Sequence, residues 1–358
     1  MDRFPKIVFD HLPDPVILIG PKREIVDINR AARELFDIGR TGQDLAISLR
    51  NPDILRMVDS VMAEGGVRGV EVTIADSPPR VIAVHAERIA STEESDGIAV
   101  VLSVTDLTAI KRTEHMRVDF VANASHELRS PLSAIIGFLE TLAGPAKEDF
   151  ESHARFIDIM LRESRRMTRL IDDLLSLSRV EINEHVRPTG SVEIRPVLES
   201  VVETLAVKAA ERGMVLTLNL EDGVQPLQGD AEQLQQVFHN LVDNAIKYGA
   251  ENSQVAVYVT SVDRVPGRRI AGVAISVIDK GEGIPHDVIP RLTERFYRVD
   301  KARSKTLGST GLGLAICKHI INRHRGHLEI DSAPGDGSTF TVSLPVFPTP
   351  DPNTGAGI

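Results

Sequence analysis

The sequence predicts a multidomain α+β protein in which two mixed regions of helices and strands flank a pair of long helices. Short β-rich segments separated by turn residues occupy residues 1–107. Apolar residues then recur at helical spacing over residues 108–184. Helical and strand-like segments alternate over residues 190–347. These patterns define three domains and leave residues 348–358, rich in Pro, Gly, Asn and Thr, as an expected disordered tail.

The composition is that of a soluble globular protein, with 42% hydrophobic and 26% charged residues. A formal net charge of −10 disfavours binding to nucleic acid, which requires a basic surface. The single cysteine, Cys317, excludes an intramolecular disulfide and fits a reducing compartment. No apolar run reaches the ~18 residues of a membrane span, and no signal peptide begins at Met1. We therefore expect a cytoplasmic chain, associated with the inner membrane only if the native protein has an N-terminal anchor.

Residues 1–107 are expected to form five strands, with short helices between the second and third. The strand segments are Pro15–Ile19, Ile25–Ile28, Val70–Ile74, Arg80–Ile89 and Gly97–Val104, and the helical segments are Ala31–Leu35 and Asp53–Met62. This order resembles a PAS sensor domain. The Asp106-Leu107-Thr108 exit resembles the Asp-x-Thr signature that joins such domains to a following helix.

Residues 108–184 are expected to form a hairpin of two long helices, with Gly144-Pro145 making the turn. Each helix has a wide apolar stripe that the other helix cannot cover alone. We therefore expect a symmetric homodimer packed as a four-helix bundle. The stripe of the first helix comprises Val121, Leu128, Leu132, Ile135, Leu139 and Leu142.

His126 lies on the opposite side of the first helix from Leu128, at about 100° per residue. Its imidazole is therefore expected to face water, beside Glu127 and on the same face as Ser130. An exposed helical histidine is by itself usually an ordinary surface residue. Pro131 has no N–H to offer the carbonyl of Glu127, so a kink is expected just after His126.

Residues 190–347 read as an α/β layer. The predicted helices are Ile194–Arg212, Asp230–Lys247 and Gly311–Arg325, and the predicted strands are Val215–Leu220, Val255–Val262, Ile270–Asp279, His327–Asp331 and Thr339–Leu344. His319, His324 and His327 have a loose metal-like spacing, but we interpret them as residues of a helix end and a strand.

Four short motifs in this third region indicate a nucleotide site. In NLVDNAIKY, residues 240–248, Asn240 and Asn244 share one helix face; their amide oxygens suit Mg²⁺, and Lys247 suits phosphate. DKGEGIP, residues 279–285, follows a strand and offers a carboxylate to the exocyclic amine of adenine, with glycines that allow close approach. ERFYR, residues 294–298, precedes a mobile-looking stretch, and GSTGLGL, residues 308–314, opens a helix whose N-terminus suits phosphates.

The order of these motifs resembles the Bergerat-type ATPase domain, an α/β sandwich, of sensor histidine kinases. The run FVANASHELRSPL at residues 120–132 resembles their dimerisation and phosphoacceptor domain, and GFLETL at residues 137–142 is similar to the phosphate-starvation sensor kinases. With the PAS-like part, the resemblance covers nearly all of residues 10–346.

The resemblance implies a role for each matched residue. It makes His126 the phosphoacceptor, Glu127 the base, and Asn240 and Asn244 the Asn box, with Asn244 as the Mg²⁺ ligand. Lys247 contacts phosphate, Tyr248 lines the nucleotide pocket, and Asp279 reads adenine from a loop shaped by Gly281 and Gly283. Arg298 reaches the γ-phosphate. Gly308, Gly311 and Gly313 match the lid glycines, with Leu312 between them in the nucleotide-binding set.

The implied activity is ATP- and Mg²⁺-dependent autophosphorylation of His126, followed by transfer to an Asp of a response-regulator receiver domain in phosphate-starvation signalling. Kinases that also dephosphorylate their regulator often carry Thr or Asn four residues after the histidine. Ser130 stands there in this chain, which leaves phosphatase activity open. Two alternatives remain: a non-kinase ATPase of the same fold, of chaperone or mismatch-repair type, and a catalytically silent dimeric scaffold. The sequence does not name the stimulus, nor does it distinguish phosphorylation within a protomer from phosphorylation across the dimer.

Overall fold

A computed structural model describes residues 3–38, 40–75, 78–89, 97–147, 149–300 and 309–346. The chain forms two compact units, residues 1–121 and 122–358. Among the described helices, none combines the length and the hydropathy needed to cross a membrane. The tail at 348–358 lies outside the described residues.

The first unit contains a five-stranded antiparallel sheet in the order β2-β1-β5-β4-β3. The strands are β1 (Val16–Ile19), β2 (Ile25–Ile28), β3 (Val67–Ile74), β4 (Arg80–Arg88) and β5 (Val100–Asp106), and the helices are α1 (Arg3–Asp10), α2 (Arg30–Phe36), α3 (Leu45–Ser48) and α4 (Pro52–Glu64). The five predicted strands are thus present, with helices between the second and third. Helices α1 and α3 were not predicted.

Local capping explains two of these boundaries. The Asn51 side chain accepts hydrogen bonds from the amides of Asp53 and Ile54, and Pro52 occupies the first helical turn of α4. At the end of β5, the Asp106 side chain accepts from the Thr108 amide at 2.8 Å, and the Thr108 hydroxyl accepts from the Val81 amide at 2.9 Å. The Asp-x-Thr signature therefore ends the sheet and begins the next helix.

Two long helices, α5 (Thr108–Ala143) and α6 (Phe150–Ile182), form the predicted hairpin. Helix α5 continues through Pro131 as a single element. The stripe expected to be buried is largely exposed within one chain, because Val121, Leu132 and Leu139 are each about half exposed. The face of α6 that is buried within the chain instead carries Arg166, Leu170, Leu177 and Val180.

The rest of the second unit is a helix-and-sheet layer with strand order β11-β12-β10-β9-β7 and a separate β6-β8 pair. Its helices are α7 (Ile194–Ala210), α8 (Ala231–Tyr248) and α9 (Gly313–Arg323), and its strands are β6 (Ser191–Val192), β7 (Val215–Leu220), β8 (Leu227–Gln228), β9 (Gln254–Val262), β10 (Gly272–Asp279), β11 (His327–Ala333) and β12 (Gly337–Pro345). Helix α8 packs on β9 and β10 and contacts both α7 and α9, while α9 also packs against α6. A 3-10 helix, His286–Arg291, follows β10.

The predicted helix beginning at Gly311 starts two residues later, at Gly313. Gly311 has φ +77°, in the left-handed region, so it cannot belong to the right-handed helix that follows. The helix also ends at Arg323, and Arg325 has φ +59°. The β6-β8 pair was not predicted because two-residue strands have no readable periodicity.

Candidate nucleotide and phosphoacceptor site

A cavity of about 920 Å³ opens beside α8 in the second unit. It lies within the size range of ligand pockets. Most of the residues singled out from the sequence line it together: Asn240, Asn244, Lys247, Tyr248, Asp279, Gly283, Arg298, Gly311 and Gly313. Gly281 and Leu312 are not among the lining residues, and Gly308 lies outside the described residues.

Asp279 ends β10 with only 5% of its surface exposed. Burial raises the pKa of its carboxyl group, while the backbone amides of Gly281 and Ser338 act in the opposite direction. The Gly281 amide donates to Oδ1 at 2.8 Å. This arrangement fixes a hydrogen-bonding carboxyl group in the cavity wall, as reading of an adenine amine requires.

The two loop glycines are required by the protein's own backbone. A Cβ on Gly281 would lie 2.4 Å from the carbonyl oxygen of Tyr248, and one on Gly283 would lie 1.8 Å from that of Ala333. Gly283 also has φ +71°. Packing against the protein's own backbone thus already excludes side chains at both positions, and close approach of these glycines to a nucleotide ring stays a prediction.

Helix α8 brings the Asn box and Lys247 to one side of the cavity. Asp230 caps its N-terminus by accepting from the amides of Glu232 and Gln233. The Asn240 amide group reaches the carbonyl of Gly313 at 3.5 Å, so it lies against the start of α9. Lys247 forms an ion pair with Asp243 one turn earlier, at 2.6 Å.

The segment just before α9 is held by several contacts. The Tyr248 hydroxyl donates to the Ser309 hydroxyl at 3.1 Å. The Phe296 amide donates to the carbonyl of Gly311 at 2.8 Å, and a Cβ on Gly311 would lie 2.9 Å from the Phe296 Cα. Leu312 is fully buried. The Phe296 contacts join the ERFYR motif to the segment just before α9.

Arg298 joins the cavity to the helix that carries His126. Its Nη2 donates to Glu127 Oε2 at 3.0 Å and to the carbonyl of Thr310 at 2.9 Å, and its side chain is 7% exposed. His126 and Ser130 are exposed on α5. Arg298 therefore contacts the residue that directly follows the proposed phosphoacceptor.

Sequence reasoning missed Arg166. This residue of α6 donates from Nη2 to the same Glu127 oxygen at 2.9 Å, and its side chain is 10% exposed. It belongs to a stripe of α6 residues spaced three or four apart: Arg166, Leu170, Asp173, Leu177 and Val180. Helical periodicity carried no signal for Arg166, because a hydrophobic pattern assigns charged residues to solvent.

The same face of α6, and the segment after it, make further polar contacts with the ATPase layer. Burial raises the pKa of Asp173, whose Oδ2 accepts from the Thr310 hydroxyl at 2.7 Å. The other pairs are Ser176 with Gln236 at 2.8 Å, Arg295 with Glu181 at 2.6 Å, His319 with Glu184 at 2.9 Å and Asn322 with Glu184 at 3.1 Å. This interface places the hairpin against the cavity.

The three histidines with a loose metal-like spacing lie in or next to α9 and β11, as the helix and strand interpretation predicts. His324 directly follows α9 and is fully buried; its Nδ1 lies 2.8 Å from the carbonyl of Ile320 and its Nε2 accepts from the Asp230 amide at 3.0 Å. His319 contacts Glu184, and His327 begins β11. His324 thus joins the end of α9 to the start of α8.

Comparison with known families gives three matches. A PAS domain model matches residues 6–65, and the His Kinase A (phospho-acceptor) domain model matches residues 116–182. The model of the histidine kinase-, DNA gyrase B- and HSP90-like ATPase matches residues 229–348. The second match includes His126, and the third includes all four nucleotide motifs.

Similar proteins are sensor kinases. The phosphate regulon sensor protein PhoR of Pseudomonas aeruginosa is 40% identical over 238 residues, or 66% of this chain, which spans about half (52%) of PhoR. The sensor-like histidine kinase SenX3 of Mycolicibacterium smegmatis is 32% identical over 351 residues, which cover 98% of this chain and 83% of SenX3. The solved histidine kinase AdeS of Acinetobacter baumannii aligns with TM-score 0.49 and 24% identity, covering 62% of this chain and 98% of AdeS. The three domain matches and the nearly full-length similarity to SenX3 show that this chain belongs to the sensor histidine kinases.

Proposed function

We propose that this chain binds ATP in the cavity beside α8, phosphorylates His126, and passes the phosphoryl group to an aspartate of a response-regulator receiver domain. The observation that carries the proposal is the Arg298 contact, because one side chain touches both the lid residue Thr310 and the carboxylate of Glu127. An ATPase that does not phosphorylate this helix would not need a contact between the helix and its nucleotide site.

The residues present fit the nucleotide and its metal ion. Asp279 is a buried acceptor for the adenine amine, and the cavity of about 920 Å³ can hold a nucleoside triphosphate. Asn240 and Asn244 offer neutral amide oxygens in the cavity wall, the ligand type that Mg²⁺ accepts together with water and phosphate oxygens. Mg²⁺ would neutralise charge on the phosphates, and Asn244 would hold it.

The chain's own contribution to phosphoryl transfer is positioning and charge. A ring nitrogen of His126 attacks the γ-phosphorus, the bond to the β-phosphate oxygen breaks, and ADP leaves with the electron pair. The neutral imidazole carries a free electron pair on one ring nitrogen, which makes it a competent nucleophile. Glu127 takes the imidazole proton, and Arg298 neutralises charge on the transferring group.

Assembly and signalling follow from the same proposal. The exposed apolar residues of α5 and α6, among them Leu132, Leu139, Ile157, Leu161 and Leu175, support a homodimer in which two hairpins form a four-helix bundle. Similarity to PhoR supports a role in phosphate-starvation signalling. The match to the His Kinase A model and the Arg298 contact both argue against a non-kinase ATPase, and the intact cavity argues against a silent scaffold.

Mass spectrometry of the full chain after incubation with Mg-ATP tests the proposal. We expect one phosphoryl group, labile in acid and stable in base, on the peptide that contains His126, and no adduct in His126→Gln. A native, dimeric protein that acquires no such adduct would overturn the kinase assignment. Phosphotransfer from the labelled chain to a panel of purified receiver domains would then identify the regulator.

A further inference from the structure

Lys208, near the C-terminal end of α7, belongs to none of the nucleotide motifs and lies outside the matched ATPase region. Its Nζ contacts Oδ1 of Asp243 on α8. The other oxygen of the same carboxylate, Oδ2, contacts Nζ of Lys247 at 2.6 Å. One carboxylate is therefore shared by two ammonium groups, and all three residues line the nucleotide cavity.

The three side chains differ in their access to solvent. Asp243 and Lys247 are 15% and 13% exposed, whereas Lys208 at the rim is 41% exposed. The Asp243 carboxylate, held between two ammonium groups, places a negative charge inside the cavity that accepts a polyphosphate under the proposed function.

If nothing offsets the negative charge of Asp243, it weakens nucleotide binding. Asp243 repels phosphate directly, and its bond to Lys247 balances the ammonium charge that phosphate needs. Other carboxylates of α6, Asp172 and Asp173, line the same cavity and add to the repulsion. Lys208 also pairs with Asp243 and neutralises the carboxylate. The positive charge of Lys247 then remains available to phosphate.

We propose that Lys208 is a positioning residue for nucleotide binding: it neutralises Asp243 and so allows Lys247 to bind the phosphates of a nucleoside di- or triphosphate. The inference rests on the nucleotide-binding part of the proposed function. It assigns Lys208 an effect on phosphate affinity through Asp243, without contact between Lys208 and the nucleotide.

The test is equilibrium binding of Mg-ADP and of adenosine to the full chain. Lys208→Met should weaken Mg-ADP binding about fivefold, the upper range for an ion pair with a partly exposed partner, and leave adenosine binding unchanged. Asp243→Asn should bind Mg-ADP at least as tightly as the wild type. The double variant Lys208→Met with Asp243→Asn should recover that affinity, because the charge that Lys208 neutralises is then absent.

Two further variants complete the design. Lys208→Arg keeps the positive charge and should retain affinity for Mg-ADP. Arg195→Met is the matched control, since Arg195 lies on the same helix and pairs with Glu199 on its own surface. Unchanged adenosine binding shows in each case that the cavity is folded.

The inference is overturned if Lys208→Met binds Mg-ADP as the wild type does. It is also overturned if the double variant stays as weak as Lys208→Met, which would mean that Lys208 touches phosphate itself, or if adenosine binding falls equally, which would mean a structural role. Failure of the proposed function looks different. A chain that shows the expected binding pattern and forms no phosphohistidine would disprove the kinase assignment and leave the role of Lys208 intact.

Discussion

Arg298 and Glu127 meet through a 3.0 Å hydrogen bond although they are 171 positions apart in the chain. The bond joins the nucleotide lobe to the residue that follows the proposed phosphoacceptor. Arg166 occupies the same carboxylate oxygen from the opposite helix at 2.9 Å. Nη2 of Arg298 already donates to Glu127 and to the Thr310 carbonyl, so a nucleotide phosphate would bind the other guanidinium N–H groups or displace one of these contacts. The proposed base and the proposed phosphate-binding arginine are thus hydrogen-bonded to each other in this structure.

Glu127→Gln should slow autophosphorylation of His126 about 100-fold, the lower range for loss of a general base. The substitution keeps the size of the side chain and removes its ability to take a proton. ATP affinity should be unchanged, because Glu127 does not line the nucleotide cavity. Single-turnover phosphohistidine formation at saturating ATP measures the effect. A wild-type rate would remove Glu127 from the mechanism.

Arg298→Gln should reduce the same rate about 1,000-fold, as expected when a phosphate-neutralising arginine is lost. Arg166→Gln is the matched comparison, because Arg166 shares the Glu127 oxygen but does not line the cavity. We expect Arg166→Gln to have a much smaller effect. Equal losses in the two variants would indicate that Arg298 acts through Glu127 and not on the transferring phosphate.

The cavity residues that lie in the four short motifs were predictable because each motif has its own local geometry. Asn240 and Asn244 are one helical turn apart, and Asp279 is the last residue of a strand, so local spacing places them. Arg166 and Asp173 were not predictable in the same way. Their partners Glu127 and Thr310 lie in other segments, and helical periodicity records which face is covered without recording what covers it.

The apolar stripe of the hairpin also shows that helical periodicity does not identify the packing partner of a helix face. The spacing of Val121, Leu132 and Leu139 correctly marks one helix face, but within a single chain that face is exposed. The buried face of α6 holds Arg166 and Asp173, residues that a hydrophobic pattern assigns to solvent. Packing between the hairpin and the ATPase layer therefore could not be derived from periodicity.

His324 makes stability depend on pH. Burial lowers the pKa of its imidazole, and Nε2 accepts a hydrogen bond from the Asp230 amide, which requires the neutral ring. The unfolded chain, with a pKa of about 6.5, therefore binds a proton more readily than the native state. This contribution to the free energy of unfolding is fully present above about pH 6.5 and is lost as the pH falls toward the lowered native pKa.

Denaturant titrations between pH 8 and pH 5 measure this contribution. His324→Gln should reduce the free energy of unfolding at pH 8, since the bond to Asp230 is disturbed, and should flatten its decline below pH 6.5. His319→Gln is the control, because His319 is a partly exposed histidine of α9, the helix that His324 directly follows, and pairs with Glu184. An unchanged decline in His324→Gln would assign the pH dependence to other groups.

Ser130 lies exposed on α5, one helical turn after His126, where its hydroxyl can orient a water molecule toward a bound phosphoaspartate. If the chain dephosphorylates its regulator, Ser130→Ala should lower that rate about tenfold, somewhat more than the value of one neutral hydrogen bond. Ser130→Thr keeps the hydroxyl and should retain the rate. Decay of a purified phosphorylated receiver domain, followed with ADP and each variant in turn, gives the comparison. Equal decay with Ser130→Ala and the wild type would show that the hydroxyl has no part in the hydrolysis.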